Sequence, residues 1–379
     1  MKASVINPFV ISGYISPDFF CDRENESERI IKAIHAGRNL TLISLRRMGK
    51  TGLLKHVKHQ LESKNKTWSV IYADLLPTMN GNDLLATISN ALIRAGKNEK
   101  NFLEKILAAL SALRPSLTID PFSGQPSLEL KAESSAMMQT GLDQILDLIK
   151  GINRNLVFFF DEFQQIINYP EKNIEHILRT IIQSYPAVHF IFSGSSRHML
   201  ENMFMSAGKP FYRSTELMYL ERIEPAEYRK FILANFEQSG IKVDEDSIRL
   251  IFEWTRLHTW YVQYACNKIF ESGEKKVNLS VVNKTFLQIL TESEPEYINY
   301  RNLLTVQQFK LLMALASEKG VEMPTSGKFI SKYDLTSPSS VKTSIKSLSE
   351  KEMIMNENGK WLVYDVFFSR WLEYHYSLP

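Results

Sequence analysis

Short runs of consecutive apolar residues alternate with longer segments of helical periodicity over the first half of the chain. A continuous apolar run is typical of a strand that is buried on both faces, as in a parallel sheet covered by helices. Strands are predicted at residues 40–43, 68–72, 156–160, 189–192 and 217–220. A first helix is predicted with Asp22 as its N-cap, and it is expected to end near Gly37. Further helices are predicted at residues 52–61, 82–95, 97–113, 134–150 and 174–184. The alternation predicts a doubly wound α/β domain with a parallel sheet.

Residues 114–133 interrupt this alternation. The segment contains three prolines and a glycine, residues that disfavour regular structure in a core. We therefore expect an insertion or a surface hairpin here, outside the core.

The periodicity changes after Pro225, where helical segments follow one another without strands between them. Helices are predicted at residues 226–238, 244–256, 260–271 and 278–291, and the polar residues 292–302 are expected to form a connector. Further helices are predicted at residues 307–316, 328–333 and 339–349, followed by a β-hairpin that turns at Asn358-Gly359. Three helices and a hairpin are typical of a winged helix-turn-helix. The predicted domains are therefore 1–222, 223–292 and 293–379.

Composition narrows the class of protein but does not identify it. The 379 residues, of which 44% are hydrophobic and 23% charged, are typical of a globular protein with two or three domains. Two cysteines exclude a disulfide framework and a cysteine-based zinc site, and the eight histidines form no convincing metal site. The net charge of +3 permits a nucleic-acid partner without requiring one. No apolar run is long enough for a membrane span, so we expect a cytoplasmic protein without a membrane partner.

Candidate chemistry begins directly after the first predicted strand, where residues 44–51 read Ser-Leu-Arg-Arg-Met-Gly-Lys-Thr. Strand, loop and helix in this order are typical of the phosphate-binding motif G-x-x-x-x-G-K-[ST], with Ser44 in place of the first glycine. Loop amides and the helix N-terminus favour a phosphate at this position. Lys50 would then contact the phosphates, and the Thr51 hydroxyl would hold Mg²⁺.

A pair of acids, Asp161 and Glu162, closes the apolar run at residues 156–160. Beside a phosphate loop, the aspartate suits Mg²⁺ and the glutamate suits a base that accepts a proton from the attacking water. The alternative interpretation is a strand that ends in solvated acids. Because ligands of doubly wound sheets bind at the carboxyl ends of the strands, Thr51, Asp161, Glu162 and Ser195 are expected to lie at one edge.

Three side chains have roles that the pattern leaves open. Ser193 and Ser195 end the next predicted strand and either contact the terminal phosphate or water, or belong to a polar loop that bends at Gly194. Arg213 is either an arginine finger, which neutralises charge in the transition state, or an exposed arginine.

The predicted recognition helix of the winged helix carries Lys342, Thr343 and Lys346 away from the face that holds its apolar residues. These side chains suit contacts with DNA phosphates or bases. Acidic residues nearby, among them Glu350 and Glu352, favour the alternative of a winged helix that binds protein.

Taken in order, these motifs resemble those of the archaeal-type ATPases, relatives of the AAA+ and STAND groups, over about residues 8–290. The matching segments are residues 20–26 (F-x-G-R-x-x-E in the family), 46–51 (R-R-x-G-K-T), 160–164 (Walker B), 192–196 (sensor strand) and 210–213 (P-L-Y-x-R). The C-terminal winged helix is also usual in that family.

The resemblance implies an ATP-binding core, a helical lid and a winged helix, in a protein that hydrolyses ATP as a molecular switch. It implies adenine contacts by Phe20 and Arg23, and nucleotide contacts by the loop residues Arg47, Met48, Gly49, Lys50, Thr51 and Gly52. It implies Mg²⁺ binding by Thr51 and Asp161, and catalytic roles for Lys50, Glu162 as base, Ser195 as sensor and Arg213 as finger. The sequence leaves open whether Arg213 acts in its own subunit or in a neighbour.

The chain departs from the family pattern at three places. Ser44 and Asp22 replace glycines, and a residue with a Cβ does not adopt every backbone conformation that glycine adopts. Leu257-His258-Thr259 stands where relatives often have Gly-His-Pro, which leaves a nucleotide contact by His258 in doubt.

Two classes of function remain. The first is a Mg²⁺-dependent ATPase that converts ATP and water to ADP and phosphate, slowly until a protein partner or a second copy supplies an arginine. The second is a DNA- or protein-binding module with a non-hydrolysing nucleotide site. A metabolic kinase ranks below both, because Glu162 beside the metal aspartate suits water as the acceptor.

Overall fold

The computed structural model describes residues 7–64, 68–96, 102–119, 126–130, 135–150 and 155–376. Two compact units divide the chain: one is Ser12–Arg222, and the other joins the residues up to Ile11 to the chain from Ile223 onward. The helices predicted for a lid and the winged helix therefore belong to one compact unit. Their separation at residue 292 stays a prediction.

The N-terminal residues 7–11 belong to the second unit, although the sequence assigned them to the ATPase core. Phe9 is buried there, with its ring centroid 4.7 Å from that of Phe236 and 6.3 Å from that of Phe270. Asn267 donates a hydrogen bond to the carbonyl oxygen of Phe9 (2.7 Å) and accepts one at its own carbonyl from Asn7 (3.0 Å). These partners lie far along the sequence, so no local pattern predicts the contact.

The first unit is an α/β domain. Its strands are β1 (Leu40–Ile43), β2 (Trp68–Asp74), β3 (Ser116–Ile119), β4 (Pro126–Glu129), β5 (Asn155–Asp161), β6 (His189–Gly194) and β7 (Glu216–Tyr219). Its α-helices are α1 (Glu24–His35), α2 (Lys50–Lys64), α3 (Gly81–Ala95), α4 (Phe102–Ala109), α5 (Ser135–Lys150), α6 (Ile174–Ser184) and α7 (Arg197–Met205). Short 3₁₀ helices lie at Pro17–Phe19, Ser111–Leu113 and Phe163–Asn168.

Five parallel strands form the central sheet in the order β2-β5-β6-β1-β7. The register aligns the carboxyl ends, with Asp74 opposite Asp161 and Ile43 opposite Gly194. The apolar run of β5 packs on both faces: Phe158 and Phe160 belong to one core cluster, and Phe159 belongs to the other. The predicted parallel sheet flanked by helices is thus confirmed.

Local predictions in this unit are wrong in three places. The N-cap of α1 is Arg23, not Asp22, and α7 was not predicted. The segment predicted as one helix at residues 97–113 contains α4 and a 3₁₀ turn, and residues 97–101 lie outside the described part.

The hairpin of β3 and β4 was predicted, but its exclusion from the core is wrong. Leu128 and Leu130 are buried in the core cluster. The Asn90 side chain accepts from the Leu128 backbone N–H (2.8 Å) and donates to its carbonyl oxygen (3.4 Å), so α3 satisfies the backbone of β4.

The second unit consists mainly of helices. Its elements are α8 (Pro225–Gln238), β8 (Lys242–Val243), α9 (Glu245–Thr255), α10 (Thr259–Glu271), β9 (Lys276–Val277), α11 (Leu279–Asn302), α12 (Val306–Ser317), α13 (Gly327–Lys332), α14 (Pro338–Glu350), β10 (Ile354–Glu357), β11 (Lys360–Val363) and α15 (Val366–His375). The prediction of helices alone before residue 290 is wrong, because β8 and β9 pair in parallel. None of the described helices combines the length and the hydropathy that crossing a bilayer requires.

The predicted connector at residues 292–302 is helical and continues α11 through Pro295. Tyr297 in this stretch is buried, with its ring centroid 5.1 Å from that of Phe368 and 5.6 Å from that of Trp371. Both partners lie in α15, which was not predicted. The burial of one tyrosine by a distant helix therefore explains why a polar stretch is ordered as a helix.

The winged helix has the predicted order α12, α13, α14 and the β10–β11 hairpin. Ser337 caps α14 by accepting from the Ser340 backbone N–H (3.2 Å), and Pro338 occupies the first helical position. The hairpin pairs Ile354 with Val363.

Candidate active site

A loop joins the end of β1 to the start of α2 at the carboxyl edge of the sheet. Arg47 and Gly49 have positive φ (65° and 88°), and the Gly49 carbonyl accepts from the Leu53 N–H (2.9 Å) in the first turn of α2. Ser44 does not have a positive φ. Its N–H donates to the Gly194 carbonyl (3.3 Å), and its Oγ donates to the Leu45 carbonyl (3.0 Å). The backbone at position 44 therefore does not require glycine.

Asp22, the other replacement of a glycine, has a φ of 52° and thus keeps a left-handed conformation. Aspartate is among the residues that adopt this conformation with a modest penalty. The next residue, Arg23, also has a positive φ (71°) and is buried. Its guanidinium donates to Glu26 Oε1 (2.7 Å) and to the Met48 carbonyl in the loop (3.4 Å). Arg23 therefore supports the loop backbone.

Phe20 lies against the first turns of α2. A Cβ added to Gly52 would be 3.3 Å from its ring, and the ring stacks on His56 with a centroid distance of 4.4 Å. The predicted adenine contacts by Phe20 and Arg23 stay predictions, but both residues lie next to the loop.

Asp161 is the centre of the site and is only 2% exposed. Its Oδ2 accepts from the Thr51 hydroxyl (2.6 Å) and the Tyr72 hydroxyl (2.9 Å). Its Oδ1 accepts from the Ser193 hydroxyl (2.6 Å) and lies 3.4 Å from Lys50 Nζ. Burial would raise the pKa of Asp161, but Lys50 and these hydroxyls outweigh it and lower the pKa.

Glu162 lies beside Asp161 and is 18% exposed. Its Oε1 accepts from Lys50 Nζ (2.6 Å), and its Oε2 accepts from Gln164 Nε2 (2.6 Å) and Ser195 Oγ (2.8 Å). Burial would raise the pKa of Glu162, but the charge and hydrogen bond of Lys50 and the hydrogen bond from Gln164 lower it. Both acids are therefore ionised and share one cation at neutral pH.

Comparison with known protein families shows to which family the chain belongs. A family model for an ATPase domain predominantly from Archaea matches residues 20–262, which is more than half of the chain. The chain belongs to this archaeal ATPase family. A second model, for a "probable winged helix domain", matches residues 295–374. The predicted family, its P-loop core and its C-terminal winged helix are thus confirmed, and nucleotide binding is supported.

Solved structures share the fold of this archaeal-type ATPase chain at low sequence identity. The Walker-type ATPase PABY2304 of Pyrococcus abyssi is 16% identical, with a TM-score of 0.66 over 97% of this chain and 99% of that one. The ORC2 protein of Aeropyrum pernix, solved as ADPNP–ADP complexes, is 15% identical, with a TM-score of 0.61 over 97% and 96%. The ORC1 protein of the same organism, in complex with DNA, is 14% identical, with a TM-score of 0.51 over 95% and 94%. No curated protein matches the sequence significantly.

Arg213 is the one predicted catalytic residue of the ATPase core that the described structure does not bring to this cluster. It precedes β7, and β7 starts at Glu216 opposite Leu40, the first residue of β1. The Arg213 N–H donates to the carbonyl oxygen of Phe204 in α7 (3.0 Å), and the Phe211 ring two residues earlier lies 5.4 Å from that of Phe163, the residue after Glu162. The catalytic role of Arg213 stays a prediction. The side chain is exposed and lies over the Tyr212 ring (5.3 Å).

Tyr72 and Gln164 are contacts of the two acids that the sequence did not single out. Tyr72 reaches Asp161 because β2 pairs directly with β5, and the order of strands is not encoded in any local pattern. Burial and the charge of Asp161 raise the pKa of Tyr72, so its hydroxyl remains a donor. Gln164 was available from the sequence, since it stands two residues after Glu162.

The residues present fit a magnesium ion that arrives with a nucleotide. Thr51 and Asp161 offer hard oxygen atoms 2.6 Å apart, the donor type that Mg²⁺ prefers. Within the described ranges, no group of three or more His, Cys, Asp or Glu side chains is arranged to hold a metal. A site with one carboxylate and one hydroxyl suits Mg²⁺, which keeps several waters and takes the remaining ligands from phosphates.

Proposed function

We propose that this protein binds Mg·ATP at the phosphate loop and hydrolyses it to ADP and phosphate as a molecular switch. The observation that carries the proposal is the hydrogen-bonded cluster of Lys50, Thr51, Asp161, Glu162 and Ser195 at the loop. Phosphoryl transfer to water requires mostly positioning and charge neutralisation, and these side chains offer a cation, a base and metal ligands for it. The cytoplasmic location stays a prediction from composition.

Lys50 has two roles in this proposal. In the structure it pairs with Glu162 and lies near Asp161. When Lys50 turns to a phosphate, Glu162 Oε1 loses its cation and becomes free to accept a proton from water. The same change raises the pKa of Glu162, because the charge of Lys50 is one cause of its low value. Phosphate binding would therefore activate the base.

The remaining residues hold the reactants. Thr51 and Asp161 would bind Mg²⁺, which neutralises phosphate charge when bound. The amides at Arg47, Met48, Gly49 and Gly52 would face phosphate oxygens at the positive end of α2. Ser195 holds Glu162 Oε2 through its hydroxyl and its N–H (3.2 Å), and would sense nucleotide through the base.

Coupling to the winged helix would pass through two arginines, the buried Arg370 and the half-buried Arg256, which join α9 to β11 and α15. Arg370 donates to the carbonyl oxygens of Trp254 (3.0 Å) and Glu253 (2.7 Å) in α9. Arg256, just after α9, donates to the Val363 carbonyl (3.2 Å) and the Ser369 hydroxyl (2.7 Å). We infer that the lid helices and the winged helix move as one body.

The decisive experiment measures phosphate release and ATP binding for the wild type and Glu162→Gln. We expect the wild type to turn over ATP and the variant to bind it without turnover. A wild type that binds without turnover would favour a non-hydrolysing nucleotide switch, and one that does not bind would refute the proposal.

Arg213 would act on a second copy of the chain. The exposure of its side chain supports this, because among the described residues its guanidinium lies over the Tyr212 ring (5.3 Å) and a neighbouring copy has access to it. Arg213→Ala and Glu162→Gln should each be inactive alone and should regain turnover when mixed, since one copy then supplies the arginine and the other the base. No recovery on mixing would argue against a role in trans.

DNA binding through α14 is a second candidate function. The exposed side chains of Lys342, Thr343 and Lys346 on its outer face favour it. The ORC1 neighbour is a DNA complex, which makes this use of the winged helix plausible to test. Binding of duplex DNA should weaken with salt if these lysines contact phosphates.

A further inference from the structure

Gln164 follows the two acids in the 3₁₀ helix Phe163–Asn168, and its amide points back at Glu162. The amide nitrogen donates to Glu162 Oε2 (2.6 Å). The amide oxygen is buried and has no hydrogen-bond partner among the described residues. A buried amide with only one of its two ends satisfied is costly, so this placement calls for an explanation.

The two carboxylate oxygens of Glu162 accept hydrogen bonds from different groups. Oε1 accepts from Lys50 Nζ (2.6 Å), the cation that would turn to a bound phosphate. Oε2 receives Gln164 Nε2, Ser195 Oγ and the Ser195 N–H. When Lys50 leaves for a phosphate, the donors on Oε2 remain and fix the direction in which Oε1 points.

We propose that Gln164 is a positioning residue that orients the catalytic base Glu162. This inference rests on the proposed ATPase function. Glu162 has a φ of 53°, so no regular helix or strand holds its side chain. Hydrogen bonds hold its carboxylate instead, and Gln164 supplies the shortest bond to Oε2.

Gly194 makes room for this amide. A Cβ at position 194 would be 2.0 Å from Gln164 Oε1 and 2.8 Å from Leu200 Cδ1. The φ of Gly194 is not positive, so its backbone conformation does not require glycine. What the position requires is space, and the Gln164 amide occupies that space.

The test compares two neighbouring glutamines. Gln164→Met keeps the length of the side chain and removes the amide. We expect turnover to fall about 10- to 100-fold, the loss typical of a displaced catalytic group, with KM and the affinity for Mg·ATP within about 3-fold of wild type. Gln165→Met is the matched control, because Gln165 lies in the same 3₁₀ helix and donates to the Thr78 carbonyl (3.0 Å) instead.

Two further variants separate positioning from damage to the fold. Gln164→Met in the Glu162→Gln background should leave ATP affinity and residual turnover unchanged, because there is no base left to orient. Gly194→Ala should lower turnover in the wild type, because it displaces the amide, but should add little to Gln164→Ala.

The outcomes distinguish this inference from the proposed function. An inactive wild type would overturn both. An active wild type, an inactive Glu162→Gln and a fully active Gln164→Met would overturn only the role of Gln164. Equal losses in Gln164→Met and Gln165→Met, or loss of ATP binding in Gln164→Met, would also overturn it.

Discussion

The charged groups at the phosphate loop and those on α14 differ in their exposure to solvent. Lys50 and Asp161 are buried, Glu162 is half-buried, and the three form ion pairs with one another, so their charges are already gathered at one place before any ligand arrives. On α14, Lys346 is 81% exposed and lies 4.0 Å from Glu350. Charged groups gathered in this way suit one small ligand of defined geometry. Exposed lysines suit a polyanion, whose binding depends on charge and salt more than on geometry.

Among the changes that test this comparison, removal of the Lys50 side chain should have the largest effect on stability and on ATP affinity. Lys50→Ala leaves two buried carboxylates without their cation, so we expect a loss of about 3 kcal/mol in the free energy of unfolding. Affinity for ATP should fall at least about 100-fold, because the positively charged side chain that would contact the phosphates is lost. Urea unfolding and nucleotide titration measure the two effects. Lys32→Ala, which removes an exposed lysine of α1, should change neither by much.

Arg370→Met tests whether buried cations of the second unit behave like Lys50. The change leaves the carbonyls of Glu253 and Trp254 without this donor, so we expect a loss of about 2–3 kcal/mol in the free energy of unfolding. Arg249→Met, at an exposed arginine of α9, is the control and should cost less than about 0.5 kcal/mol. Equal effects of the two changes would contradict the coupling of lid and winged helix.

The pH dependence of stability should reveal the buried acids. The folded-state pKa values of Asp161 and Glu162 are lowered, so their contribution is present above an unfolded pKa of about 4 and is lost as pH falls through the folded values. The free energy of unfolding should therefore decrease below about pH 4, and less steeply in Glu162→Gln.

The smallest effect on stability is expected on α14. Lys342→Ala with Lys346→Ala should alter the free energy of unfolding by less than about 0.5 kcal/mol. If DNA binds there, the pair should lower the dependence of log affinity on log salt by about 2, one for each phosphate contact. An unchanged salt slope would place DNA contacts elsewhere or favour a protein partner for the winged helix.

The sequence predicted the parts of the site that are local. Lys50 and Thr51 follow a strand directly, and Asp161 and Glu162 end one, so their position at the carboxyl edge follows from alternation alone. The sequence did not predict Tyr72 at Asp161, because that contact depends on β2 lying beside β5. It also left open whether Arg213 acts in its own subunit or in a neighbour, because no local pattern shows which site an exposed side chain reaches.

The same distinction explains the errors in the fold. The helix at residues 292–302 and the burial of Leu128 depend on partners far along the chain, Phe368 and Asn90 respectively. Polar composition and proline content describe the local preference of a segment, and tertiary contacts outweighed that preference in both cases.

The burial of Phe9 has a consequence for biosynthesis. A ribosome releases Phe9 before the whole ATPase core and releases its partners Phe231, Phe236 and Phe270 only afterwards. Because domains tend to fold in the order in which they emerge, the core can form while this apolar anchor is still exposed. Phe9 therefore emerges without its aromatic partners and acquires them only after most of the chain has been synthesised.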